Sequence, residues 1–453
     1  MRTIVRVGTV VTVLVLVLLL GATASAASPH VRSVGSALMP SGISLPAVSV
    51  TKNISVGKDP QAVAYDPATR MIYVAVEGTN SVKVINATTN TVAKTIPVGK
   101  EPVAILYNPS NKDLYVENLG SSNFSVIGSG NKVVSTVAIK GTLLGTTLYD
   151  PANGDAYALS YSVTPTYTVD YNLSKINKTS QKVTVIPVGA GGDVAGYDNA
   201  SKSVVVSDSS IAKLSVVNST TNAVTTVALP VGYSPAQGLY DPATKDFYVL
   251  DEAYGPHGST GTGNVSALTA SNTVATTIKT GIDPSFLQLD PVNHAVYVTN
   301  FGKLNITTNK YPNSTLTIIN TSNKVAATLK VGKMAGILAY SPKTNDLYVP
   351  CAQSNRTYIV NATTNKLIGT GIATQQYPFV AVYDSASGDV VVVGDANFTG
   401  KAVKSDLTVI STSNKVANII VLGVGPVDGD AYDPATKVSY VTNGGAGTVS
   451  IIN

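Results

Sequence analysis

The one place in this chain where acids and a histidine fall together is Asp251, Glu252 and His257, set among glycines beside Tyr254. Carboxylates next to an imidazole are the ingredients of a general acid/base pair or of a metal site. The other histidines, His30 and His294, stand alone. One histidine in a Gly-rich segment also reads as part of a solvated loop, and that plainer reading is the expectation. Cys351, the single cysteine, follows the apolar run Leu347-Tyr348-Val349. It rules out an intramolecular disulfide and reads as an inert, half-buried thiol. Asp428-Gly429-Asp430 resembles a fragment of a calcium loop but lacks the twelve-residue frame. There is no Gly-rich phosphate loop, serine elbow or Cys-x-x-Cys pair. These residues lead to the expectation of no catalysis, no metal and no cofactor.

The elements that would carry such residues repeat. A strand-turn-strand unit recurs with an anchor at Tyr65, Tyr107, Tyr149, Tyr197, Tyr240, Leu289, Tyr340, Tyr383 and Tyr432. The intervals run from 42 to 51 residues. A period in the forties with four short alternating β-runs is the mark of an all-β propeller with one four-stranded antiparallel blade per repeat, here nine blades. Asp-Pro-Ala-Thr at 66–69, 241–244 and 433–436 is turn chemistry: Asp bonds nearby backbone and Pro fixes φ. Asn-Ala-Thr-Thr-Asn at 86–90 and 361–365 marks the turn from third to fourth strand. Tyr73, Tyr115, Tyr157, Tyr248, Tyr297, Tyr348 and Tyr440 hold one fixed second-strand position, where an aromatic is expected to pack between blades. Val50–Gly57 aligns with a fourth strand and Thr448–Asn453 with a third, so the N-terminal strand is expected to complete the last blade. That makes 48–453 one propeller domain, after a linker at 28–47.

Residues 1–27 read as a targeting segment. Arg2 and Arg6 precede the apolar run Val7–Leu20 and a small-x-small signal at Ala24-Ser25-Ala26. Cleavage as a signal peptide and retention as an N-terminal anchor both fit; either places the rest outside the membrane, secreted or at the cell surface. Charged residues are only 13 %, and the net charge is +5 with two of those charges in the leader. That balance excludes a nucleic-acid binder or an electrostatic membrane binder.

Tyr297-Val298-Thr299-Asn300 and Tyr440-Val441-Thr442-Asn443 match the signature of the YVTN-type β-propeller repeat. Val-Gly-x-x-Pro at 56–60, 98–102 and 231–235 fits the same pattern. The chain after residue 48 resembles that family throughout, although nine repeats exceed its commoner seven. The resemblance implies a secreted or surface-layer-associated protein without catalysis; related propellers include lyases and cofactor-bearing dehydrogenases.

Four repeats carry excess residues between second and third strands: 160–180, 251–263, 300–314 and 394–405. Strands alternate in direction, so all four insertions leave one face, commonly the binding face of a repeat scaffold. Candidate contact residues there are Tyr161, Tyr167, Asp170, Tyr171, Asp251, Glu252, Tyr254, His257, Lys303, Lys310, Tyr311, Asp395, Lys401 and Lys404. Tyrosine among Asn and Ser is the composition of adaptable recognition surfaces. Sequons at Asn172, Asn177, Asn305 and Asn313 lie in these insertions and are candidate glycosylation sites. The expectation is a non-catalytic cell-envelope propeller that binds protein or glycan through the inserted face, with self-association possible. The alternatives are a surface-layer lattice subunit and a propeller enzyme of lyase or dehydrogenase type.

Overall fold

In the computed structural model, the described residues are 49–452 apart from 165–168, 190–193, 209–211, 231–232, 256–257, 260, 306, 309, 385–386, 395–403, 425–428, 434 and 437. They form nine antiparallel sheets with the strand order first-second-third-fourth, closed into a ring: a nine-bladed β-propeller. Blade 5 adds a two-residue strand, Gly258–Ser259, folded back on its second strand, Phe247–Gly255. Blade 9 is completed by Val50–Ser55, which pairs antiparallel with Thr448–Ile452, as expected from the alignment.

First strands of successive blades adjoin, so they line the axis, and the fourth strands form the rim. Second strands are buried on both faces. In blade 1, Ile72, Val74 and Val76 pack on Ala431, Tyr440, Val449 and Ile451 of blade 9. The alternate residues Tyr73 and Ala75 pack on Ile105, Leu114 and Val116 of blade 2. Period-2 alternation thus feeds two interblade cores from one strand.

The repeated polar residues act as hinges and clasps. Asp66, Asp241 and Asp433 each accept the backbone N–H two residues on and the threonine hydroxyl three residues on. Two anchor tyrosines bond the turn of the preceding blade: the Tyr65 hydroxyl donates to Asp433 at 2.8 Å, and the Tyr149 and Ser110 hydroxyls lie 2.8 Å apart. Blade 6 has Leu289 instead, and Asp241 of blade 5 is met by His294 at 3.0 Å. All seven second-strand tyrosines are buried. Three of their phenols donate to the next blade's third-to-fourth turn: Tyr248 to Asn323 at 2.8 Å, Tyr348 to Asn414 at 2.6 Å and Tyr440 to Asn90 at 2.7 Å. The turn asparagines hold left-handed φ values of 58°, 59° and 54°, a conformation Asn tolerates.

Candidate functional site

In the sector of blades 6 to 8, an aromatic cluster gathers at the ends of the first and second strands. The inner strand of blade 7 is cut to Ala339–Ser341. Upstream, Ile337 pairs with Val380 of blade 8 through a lone parallel bridge. Gly336 permits that approach, because a Cβ there would sit 1.9 Å from the Phe379 carbonyl oxygen. The shortened strand lets Phe286 of blade 6 meet Phe379 of blade 8, centroids 5.6 Å apart and nearly perpendicular. Phe301 packs edge-on against Phe286 at 6.0 Å and against Tyr311 at 5.2 Å. Phe286 and Phe379 are buried, whereas Phe301 and Tyr311 are half-exposed and face the loops. Tyr377 and Met334 pack on the same cluster. Burial pushes the Tyr311 phenol up to about 12, with Asp283 adding to the rise.

Asp406 lies in the third strand of blade 8, Lys404–Ile410, next to Leu407, which packs in the same core as the cluster. Its cross-strand partner is Gly394. A Cβ on Gly394 would lie 2.7 Å from Asp406 Oδ1 and 2.9 Å from the carbonyl oxygen of Gln376, the residue before Tyr377. The aspartate is partly exposed, yet its Oδ1 is buried without a hydrogen-bond partner. Burial of this bare carboxyl pushes it up to about 7. A carboxyl poised there takes up or releases a proton near neutral pH.

Three further acids near the same strand ends are fully buried. Glu117 accepts the Gly145 N–H at 3.0 Å and the Thr147 hydroxyl from blade 3, and burial lifts it to about 7. Burial likewise lifts Asp208 to about 6 and Asp251 to about 7, each partly offset by a serine hydroxyl. Cys351 is fully buried and its thiol is pushed up by burial, in keeping with an inert core residue.

The described residues among those singled out from the sequence lie in separate blades. Asp251 is buried with Ser266 donating to it at 2.5 Å. Glu252, next along the strand, alternates to the other face. Tyr161 and Tyr171 face each other across the blade-3 hairpin with ring centroids 6.2 Å apart, and Asp170 is exposed nearby. Lys303 and Lys310 are exposed, and Tyr254 lies in a strand. Lys404 opens the third strand of blade 8. Tyr167, His257, Asp395 and Lys401 lie outside the described residues.

Two sequons sit elsewhere than expected, because the blade-3 excess lengthens strands. Asn172 is a buried strand residue, and Asn177 belongs to the third-to-fourth turn, where its Oδ1 accepts two backbone N–H groups. Asn305 and Asn313 are exposed. Of the aromatic cluster, only Tyr311 was singled out from the sequence. Phe286, Phe301, Tyr377 and Phe379 were missed, and Asp406 fell one residue past the blade-8 insertion.

No family model and no curated protein matches this chain. Solved structures do. Kuenenia stuttgartiensis Hydrazine Synthase matches at 14 % identity and a TM-score of 0.46, covering 88 % of this chain and 97 % of that one. Dihydro-heme d1 dehydrogenase NirN in complex with DHE matches at 12 % identity and a TM-score of 0.51, covering 69 % and 66 %. At such identities the likeness shows the fold alone. It nonetheless corrects the expectation of a non-catalytic scaffold that binds protein or glycan through its inserted loops. The second of these structures carries the name of an enzyme, so neither that expectation nor the expectation of no enzymatic activity is retained.

Proposed function

We propose that this chain is a propeller enzyme that does acid–base chemistry on the inserted face, with Asp406 as its proton-transfer group. The observation that carries this reading is Asp406 itself: partly accessible, lifted to about 7 by burial, with an unpartnered Oδ1 near the backbone that leads into Tyr377. The half-exposed rings of Phe301 and Tyr311, with Tyr377, offer a platform for the apolar face of a ring-shaped substrate. The reaction class is abstraction of a proton from carbon next to a carboxyl or carbonyl, as in a lyase. Ionised Asp406 would take the proton and protonated Asp406 would return it, to the same carbon or to a leaving oxygen. The repeats are read as YVTN-type on the Tyr-Val-Thr-Asn and Val-Gly-x-x-Pro motifs. Export through residues 1–27 would place a substrate in the cell envelope or medium.

The test is incubation with uronate oligosaccharides in heavy water. Wild type is expected to incorporate solvent deuterium or to form unsaturated products, and Asp406→Asn is expected to be slower by roughly 10²–10⁴-fold. Blade 2 carries an asparagine, Asn123, at the corresponding register position, so the variant should fold. Equal rates in both proteins would contradict the assignment.

A further inference from the structure

The last paired residue of the second strand is an amide or an acid in five blades: Asn118, Asp208, Asp251, Asn300 and Asn443. All five are buried. Where it is asparagine, its Nδ2 donates to a hydroxyl two residues past its cross-strand partner. Asn118 reaches Ser125 at 3.1 Å, Asn300 reaches Thr317 at 3.1 Å and Asn443 reaches Ser450 at 2.9 Å. The same clasps bind the end of the preceding blade's fourth strand. The Gly99 N–H donates to Ser125 at 3.2 Å, and the Gly281 N–H donates to Asn300 Oδ1 at 2.9 Å.

In blades 4 and 5 an aspartate replaces the asparagine, and its ionised carboxylate has no proton to donate. The hydroxyls must turn round: Ser215 donates to Asp208 at 3.1 Å and Ser266 to Asp251 at 2.5 Å. Asp251 Oδ1 is left buried with no hydrogen-bond partner. A bare buried carboxylate oxygen is costly, and a proton on it restores the donor that asparagine supplies in blades 2, 6 and 9.

We propose that Asp208–Ser215 and Asp251–Ser266 are acid-closed clasps, which tighten the sector of blades 4 and 5, including the root of the blade-5 hairpin, when protonated and loosen it when ionised. Around Asp208 the facing groups are the Ser215 hydroxyl and the Lys213 ammonium. Gly189, from the preceding blade, donates its N–H to Ser215 at 3.0 Å. A Cβ on that glycine would lie 2.1 Å from Asp208 Oδ2, so the carboxyl is packed against the backbone it helps to hold. Around Asp251 it is the Ser266 hydroxyl, with the Glu252 carboxylate on the opposite side of the strand. The lifted values, about 6 and about 7, agree with the geometry. A carboxyl held higher in the folded chain than in the unfolded one contributes stability that is full below pH of about 4 and is lost as pH rises through 6 to 7.

Thermal unfolding of the full chain at pH 4 and pH 8 tests this with Asp208→Asn, Asp251→Asn and the double variant. Asparagine keeps its donor at every pH. Each single variant is therefore expected to melt above wild type at pH 8 and with it at pH 4. The double variant should melt roughly 3–7 °C higher at pH 8, with a visibly flatter pH dependence. A variant that melts at or below wild type at pH 8, or that fails to fold there, would overturn the proposal, because asparagine already serves this position in three blades.

Discussion

Removal of residues 1–57 is expected to abolish the stable soluble propeller. Val50–Ser55 pairs with the last strand from Val50 opposite Ile452 to Ser55 opposite Thr448. Ile54 and Val56 are buried in the core between blades 9 and 1, against Tyr440, Val449 and Ile451. Ser450 Oγ donates to Asn53 Oδ1 at 2.7 Å, and the Val56 N–H donates to Gly447 at 3.0 Å. Burial of two branched side chains contributes about 3–6 kcal/mol, and each backbone bond adds about 1 kcal/mol. The sum approaches the whole stability of an ordinary domain, about 5–15 kcal/mol. The truncated chain would also bare the unpaired edge of Thr448–Ile452, a template for aggregation. A peptide spanning residues 48–57 added in trans should restore folding. Size-exclusion chromatography and thermal unfolding check both; a truncated chain that melts with wild type would refute ring closure by this strand.

Tyr440→Ala is expected to cost about 3–5 kcal/mol in urea unfolding, in the range for emptying a buried aromatic site. Tyr440 has no exposed surface, and its phenol bonds Asn90 at 2.7 Å across the same closing interface. Tyr440→Phe keeps the packing and loses that bond, leaving Asn90 Oδ1 without its donor; about 1–3 kcal/mol is expected. Tyr161, half-exposed on the blade-3 hairpin, supplies the contrast, and Tyr161→Ala should cost under about 1 kcal/mol. Equal losses at Tyr440 and Tyr161 would refute the clasp.

What was legible in the sequence is what the blades repeat. The spacing from Tyr65 to Tyr432 counts the blades because the anchor position recurs once in each, as tyrosine in eight and as Leu289 in blade 6. Asp-Pro-Ala-Thr and the second-strand tyrosines read as structure because one position recurring around a ring answers a packing need. The candidate site was not legible because it lies where repetition fails. Phe379 is far from Phe286 and Phe301 in sequence and meets them from two blades away across the three-residue inner strand of blade 7. Asp406 looks ordinary in composition; its character comes from Gly394 opposite and from an oxygen left without a partner. Asp208 and Asp251 stand out only against Asn118, Asn300 and Asn443 at the same register. The contact of His294 with Asp241, at the position that Arg70 holds against Asp433, likewise needed the structure to be seen.

The most direct measurement is the titration of Asp406 by carbon NMR of carboxyl-labelled aspartate, with the Asp406→Asn spectrum identifying its signal. A midpoint near 7 is predicted. A midpoint near 4, the ordinary aspartate value, would contradict the acid–base role assigned to this residue.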